Sequence, residues 1–375
     1  MSTTTATANH RIVFLDIARA YACIMMIFGH TFESVLDKAL RSGAIFTTWD
    51  HWRGLTAPTF LFISGFAFFI ATVRYWDQYT RWSPRLAKRL RRVGLLLAIA
   101  YLLHMPLSNP LRFLESGLTY TQWFSWMRVD ILHCIAVNLL LLHLLIFLFR
   151  RQRAFLFFIA LAMPLTFLLS PFIWFLNGTV SEPSVWNFYL GANFRSQFPL
   201  IPWIGFMFAG ILAGHGYNAW LKNRPRWPLI LLAAAGGMLL FGFFIESLYS
   251  ELPAHFRFRS LQAQTLWLRL GVVMIIVSVI ALLVRRVRSI PDVVSLIGRE
   301  TLTLYWMHLI VVYGSPWNKG LVQIFGRTLA PWQCLLIFVV LFAVLLGIVL
   351  LKERLKRLPL PRLALRPRRL LRSRQ

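Results

Sequence analysis

In the stretch FLDIARAYACIMMIFGHTF, the residues equipped for chemistry are Asp16, Arg19 and His30. The rest of the stretch is apolar enough to cross a bilayer, where an ionisable side chain costs about 2.5–3.5 kcal/mol to insert. Such groups face a cavity or pair with one another. Asp16 lies one turn before Arg19, within reach of an ion pair. Arg19 and His30 are eleven residues apart, roughly 20° past three turns, so they share a helical stripe about 16 Å long. A cation at one end of such a stripe and an imidazole at the other suit acid–base chemistry between two faces of a membrane. The plainer alternative is an ion pair that fixes helix packing and a histidine at the interface.

A second imidazole, His308, stands in TLTLYWMHLIVVYG with Tyr305 one turn before it. A third site is DILHCIAVNLLLLHLLIFLF, with Asp130 and His133 one turn apart and Asn138 and His143 further along. A carboxylate beside an imidazole orients the ring and raises its basicity. Pro58, Gly65, Pro202, Gly205 and Gly210 allow kinks and close backbone approach around a cavity. The histidines are scattered and form neither HxxxH nor HExxH, so no metal site is expected.

The elements that position these residues are membrane helices. Of 375 residues, 58% are hydrophobic and 14% charged, where a soluble domain carries about a quarter charged residues. The apolar residues come in blocks of bilayer-spanning length. Ten helices are predicted, over 12–31, 55–73, 93–108, 130–149, 154–176, 199–216, 229–249, 264–284, 301–315 and 332–351. The expected fold class is an all-α polytopic transmembrane bundle. It has a short N-terminus (1–11), a membrane domain (12–351) and a basic tail (352–375). The first block carries Asp16 and Arg19, so it reads as a retained span and not a cleaved signal.

The net charge of +27 would point to nucleic acid in a soluble protein. Here 28 of the 40 Lys and Arg residues fall in alternate connections and the termini, and ten in the remaining connections. The positive-inside rule accounts for this and places both termini in the cytoplasm. Nucleic acid is thereby excluded as a partner. Membrane lipids are the expected partner of the Leu/Pro/Arg-rich tail, and a homodimer is compatible with the sequence. Cys23, Cys134 and Cys334 are widely spaced in or beside apolar segments and read as packing residues.

FLDIARAYACIMMIFGH resembles the opening signature of the transmembrane acyltransferase superfamily, in which ten residues separate an Arg from a following His, as they do Arg19 and His30. TAPTFLFISGFAF, VDILHCIAVNLL, FPLIPWIGFMFAGILAG and GRETLTLYWMHLIVVYG then resemble successive landmarks of the heparan-alpha-glucosaminide N-acetyltransferase catalytic-domain family. The resemblance covers about residues 11–315. Ala20 stands where the signature has Gly, and His51 matches a first-loop histidine of the family only out of register.

The resemblance implies a bacterial inner-membrane enzyme. It would move an acyl group, acetyl above all, from cytosolic acyl-CoA to an amine or hydroxyl of an extracytoplasmic glycan. His30 is then the general base, with His51 as the alternative. His308 acts as second acid–base group or polarises the thioester, and Arg19 with Asp16 holds an oxyanion or phosphate. Arg74, Arg85, Lys88, Arg89, Arg92 and Tyr305 would hold the CoA, and Asp130, His133 and Trp203 the acceptor. Two alternatives stay open: succinyl transfer to periplasmic glucans, and a transporter without chemistry. A covalent acyl-histidine intermediate and direct transfer fit the sequence equally.

Overall fold

A computed structural model describes residues 12–106, 117–251, 254–287 and 289–357. The predicted N-terminal segment 1–11 and the tail beyond 357 lie outside the described residues. What is described is all-α. The principal helices are α1 (Val13–Val35), α2 (Ala44–Arg53), α3 (Thr56–Val73), α4 (Pro84–Leu103), α5 (Ile131–Phe149) and α6 (Gln152–Gly178). They continue with α7 (Leu200–Gly216), α8 (Trp227–Ser250), α9 (Ala254–Arg286), α10 (Asp292–Arg299), α11 (Thr301–Tyr313) and α12 (Pro331–Arg357). Among the described residues, eight helical segments are long and apolar enough to cross a membrane, α2 and α3 counting as one. The chain is thus a multi-pass membrane protein. The other two predicted spans are also helical. However, α4 is basic over its first turns and α11 has only 13 residues.

Several boundaries depart from the sequence expectation. The first helix runs on to Val35, so His30 lies inside it and not at its mouth. The predicted loop 250–263 is helical from Ala254 onward, because Leu, Gln, Ala and Arg propagate a helix regardless of hydropathy. The predicted basic loop Arg74–Arg92 is also largely helical. Ser83 caps α4 by accepting the Leu86 N–H at 3.1 Å, and Pro84 takes the first-turn position. Arg85, Lys88, Arg89 and Arg92 therefore stand on α4. α6 carries Pro164 and Pro171 internally. Pro171 removes the N–H that would bond the Phe167 carbonyl, and Ser170 Oγ donates to that carbonyl instead at 2.9 Å.

α1 packs against α3, α9, α10, α11 and α12 and so runs through the middle of the bundle. Glycines set the closest crossings. A Cβ on Gly65 would lie 2.0 Å from the Met207 carbonyl oxygen, and one on Gly210 would lie 1.9 Å from that of Phe62. These two residues seat α3 and α7 backbone to backbone. Gly298 does the same for α10 against α1, its added Cβ falling 2.2 Å from the Asp16 carbonyl. At the same end, Glu300 binds Lys352 at 2.5 Å and Lys356 at 3.0 Å, tying α11 to α12. Burial alone would raise the Glu300 carboxyl. Hydrogen bonds from Lys352, Lys356 and Thr303 outweigh it and hold the pKa at about 2.

Gly210→Ala is expected to destabilise the bundle by about 1–3 kcal/mol through overpacking, seen as an earlier thermal transition in detergent. An unchanged transition would contradict the contact. Glu300 stabilises the fold fully above its ordinary value of 4.5 and loses that effect as pH falls toward about 2. The melting-temperature deficit of Glu300→Gln at pH 7 should accordingly shrink by pH 3, and a deficit independent of pH would refute the linkage.

Candidate active site

A cavity of about 1330 Å³ runs through the bundle between α1, α3, α4, α5 and α11. Arg19, Met26, His30 and Glu33 line it from α1. Their spacing of seven, four and three residues makes one stripe along the helix. Leu302, Tyr305, Leu309 and Tyr313 form the facing stripe on α11. At the end near Arg19 the walls also carry Arg89, Arg92 and Arg299. At the end near Glu33 they carry Arg53, Arg128, Asp130 and Arg327.

His30 and His308 meet across these helices, Nδ1 to Nε2, at 2.9 Å, with nearly stacked rings. His308 Nδ1 lies 2.8 Å from the Leu304 carbonyl oxygen. A carbonyl only accepts, so His308 carries its proton on Nδ1. With both rings neutral, His308 Nε2 is an acceptor and His30 Nδ1 is the donor to it. The remaining lone pair of the pair then sits on His30 Nε2. His30 lines the cavity, whereas His308 is fully buried behind it. The pair therefore has one basic nitrogen on offer, and it belongs to His30.

Beside the pair, Gly29 makes room for Arg53, whose Cγ would lie 2.7 Å from an added Cβ. Arg53 is paired with Asp50 and stacked over Trp49. Glu33, one turn beyond His30, binds Arg327 at 2.7 Å and Arg41 at 3.5 Å and accepts the Tyr313 hydroxyl at 3.3 Å. Backbone bonds Asp37 N to Leu329 O and Leu329 N to Val35 O, both 3.0 Å, strap this end of α1 to the segment before α12. Sequence reasoning missed Glu33 because it ended the helix at residue 31. The three- and four-residue rhythm from Arg19, continued, reaches Glu33. Arg53 carries no comparable signal, since its approach to His30 depends on how α2 folds back.

Asp130 caps α5. Its Oδ1 accepts the His133 backbone N–H at 3.0 Å and the His133 Nδ1–H at 2.7 Å, while Oδ2 accepts the Tyr305 hydroxyl at 3.3 Å. This is a buried network, not a solvated helix start: Asp130 is 5% exposed and His133 0%. The segment before α5 is held in place by Val129, whose carbonyl accepts the Gln197 and Phe198 N–H groups at 3.0 and 3.2 Å. His104, Asp130 and His133 bring metal-ligand atoms within 4.8 Å of one another. Their nearest nitrogens already donate, His133 to Asp130 and His104 Nδ1 to the Ala100 carbonyl at 3.0 Å.

The other sequence candidates fall as follows. Asp16 and Arg19 pair at 3.5 Å, with Asp16 buried and Arg19 in the cavity wall. Tyr305 lines the cavity, between the histidine pair and Asp130. Among the basic residues, only Arg89 and Arg92 of the five proposed reach the wall. Arg85 stacks on Tyr75 at 3.7 Å and Arg74 lies 5.7 Å from the same ring; Lys88 is exposed outside the cavity. His51 is exposed on α2, its Nδ1 bonded to the Thr47 carbonyl at 2.7 Å, and it does not line the cavity. Trp203 is buried among Phe198 and Phe206, away from the wall.

The tautomers assigned to the pair are testable with ¹⁵N-labelled histidine. At neutral pH, His30 should show a protonated Nδ1 and a bare Nε2, and His308→Asn should release this preference. A protonated Nε2 on neutral His30 would reverse the assignment.

A search among curated proteins gives no match. The model of the family "Heparan-alpha-glucosaminide N-acetyltransferase, catalytic" matches residues 11–245. That match includes α1 with Arg19 and His30, α3, the basic helix α4 and the Asp130 cap of α5. The cavity described above is thus built largely from the matched region, and the chain belongs to the heparan-alpha-glucosaminide N-acetyltransferase catalytic family.

Proposed function

We propose that the protein transfers an acetyl group from acetyl-CoA to an amine or hydroxyl of an extracytoplasmic glycan, with His30 as general base. The single observation that carries this reading is the lone pair of His30 Nε2, directed by the His308 contact, on a residue lining a cavity whose other walls carry Arg89, Arg92 and Arg299. Family membership supports acetyl transfer over permeation through the same cavity. The charge pattern of the connections supports a cytosolic position for the Arg19–Arg89–Arg299 end, the side on which a CoA donor would arrive.

Arg89, Arg92, Arg299 and Arg19 suit the polyanionic end of CoA, since guanidinium forks match phosphate oxygens. Arg19 stands about 16 Å from His30 along the helix. It therefore belongs to the phosphate end and not to the oxyanion at the reacting carbon. The acceptor enters past Glu33, Arg53 and Arg128. As its nitrogen or oxygen attacks the thioester carbonyl carbon, His30 Nε2 takes its proton. The resulting imidazolium keeps its Nδ1–H on His308 Nε2, so His308 steadies the charge without itself taking the proton. Collapse of the tetrahedral intermediate breaks the C–S bond. The thiolate then recovers the proton from His30, leaving free CoA and the neutral base. Tyr305 and Asp130 lie along the same wall and position the acceptor side.

The test is [¹⁴C]acetyl-CoA supplied to the cytosolic face of inverted vesicles with amino-sugar and hydroxyl acceptors inside. His30→Ala is expected to lower kcat by at least 10²-fold, the usual worth of a general base. His308→Asn, which keeps a polar partner but misorients the ring, should cost less. Label that never leaves acetyl-CoA in the wild type would end the proposal, and full activity in His30→Ala would remove His30 from it.

A further inference from the structure

Attack on a thioester places negative charge on the carbonyl oxygen, and the histidine pair has no donor left to meet it. The two tyrosine hydroxyls of α11 in the cavity wall are already committed, Tyr305 to Asp130 and Tyr313 to Glu33. Arg53 is placed differently. It lines the same cavity as His30. Gly29, the residue before His30, lets its stem lie on the α1 backbone: an added Cβ there would fall 2.7 Å from Arg53 Cγ and 3.0 Å from Cδ. Arg53 Nε donates to Asp50 Oδ1 at 3.0 Å, and Nη2 donates to the same oxygen. These bonds occupy one edge of the planar fork. Nη1, with two N–H groups, has no hydrogen-bond partner among the described residues. The fork is also fixed in advance. Its Cζ stands 5.3 Å from the Trp49 ring, the Thr56 hydroxyl donates to the Arg53 carbonyl at 3.0 Å, and the Gly54 N–H closes α2 on the Asp50 carbonyl at 3.0 Å.

We propose that Arg53 is a catalytic residue whose Nη1 donates to the thioester carbonyl oxygen as attack converts it to an oxyanion. This rests on the acetyl-transfer reading given above and adds to it the group that receives the developing charge. The lone pair of the acceptor forms the new bond to the carbonyl carbon, and the carbonyl π pair moves onto oxygen. Arg53 holds that charge by hydrogen bond and keeps all its protons. When the C–S bond breaks, the pair returns to the carbonyl and the thiolate leaves. A donor oriented beforehand stabilises the oxyanion more than the ground-state carbonyl, so its effect belongs in kcat. Asp50 offsets part of the guanidinium charge, so the imidazolium that forms on His30 in the same step meets less repulsion.

The test is the acetyl-transfer rate of the full-length protein in inverted vesicles. Arg53→Gln is expected to lower kcat about 10²–10³-fold, the effect of deleting one oxyanion donor, with KM for acetyl-CoA nearly unchanged. Guanidinium chloride, added well below denaturing concentration, should restore part of the rate of Arg53→Ala and none of that of His30→Ala. The ¹⁵N signature of His30 should survive in Arg53→Gln, which separates a lost donor from a displaced histidine. A wild-type kcat in Arg53→Gln, or a loss of rate accompanied by loss of that signature, would overturn the assignment. A raised KM with kcat intact would overturn it as well, since Arg53 would then only bind. If the wild type releases no CoA with any acceptor, the transfer reading falls, and the role of Arg53 falls with it.

Discussion

The site depends on one hydrogen bond between two imidazoles, His30 on α1 and His308 on α11, at 2.9 Å. Two bare imidazoles in an apolar bundle would each leave polar atoms without partners, which membrane helices tolerate poorly. Joined to each other, and through His308 Nδ1 to the Leu304 carbonyl, they satisfy all but one nitrogen. The nitrogen left over is His30 Nε2. A requirement for polar satisfaction thus becomes an asymmetry between the two rings: His308 has both nitrogens engaged, and His30 keeps one lone pair.

That bond tolerates little movement of α1 against α11, and the surrounding packing restricts it. Gly298 lets α10 lie on the α1 backbone at Asp16, and α10 leads directly into α11. At the other end, Glu33 gathers Arg41, Arg327 and Tyr313 and joins α1 to the end of α11 and the segment beyond it. The histidine pair sits between these two attachments. Behind it, Gly65 and Gly210 seat α3 on α7 and give the opposite wall a fixed position. Close backbone contacts of this kind leave the cavity open while its walls stay rigid.

The fold class and the α1 stripe were legible in the sequence because both follow from periodicity and hydropathy. Arg19 and His30 share a face by helical geometry alone, and the chain order of the motifs marked His308 as a facing group. The hierarchy between the two histidines was not legible, because it follows from which carbonyl meets His308 and how closely the helices approach. Helix ends were equally obscure. Glu33 was lost to a boundary drawn four residues short, and a basic run taken for a loop proved helical. The charge count read that run correctly as a block of cations but not as separate roles. Tyr75 holds Arg85, whereas Arg89 and Arg92 reach the cavity. Trp203 fitted its motif and His51 matched only out of register, and neither lines the cavity, since a motif gives no side-chain direction.

The most direct measurement of this account is a structure of the protein bound to a non-cleavable acetyl-CoA analogue with a methylene in place of sulfur. The account places the acyl carbon beside His30 Nε2, with His308 behind it and the phosphates among Arg19, Arg89, Arg92 and Arg299. An acyl carbon against His308, or beside Asp130 and His133 with His30 covered, would contradict it.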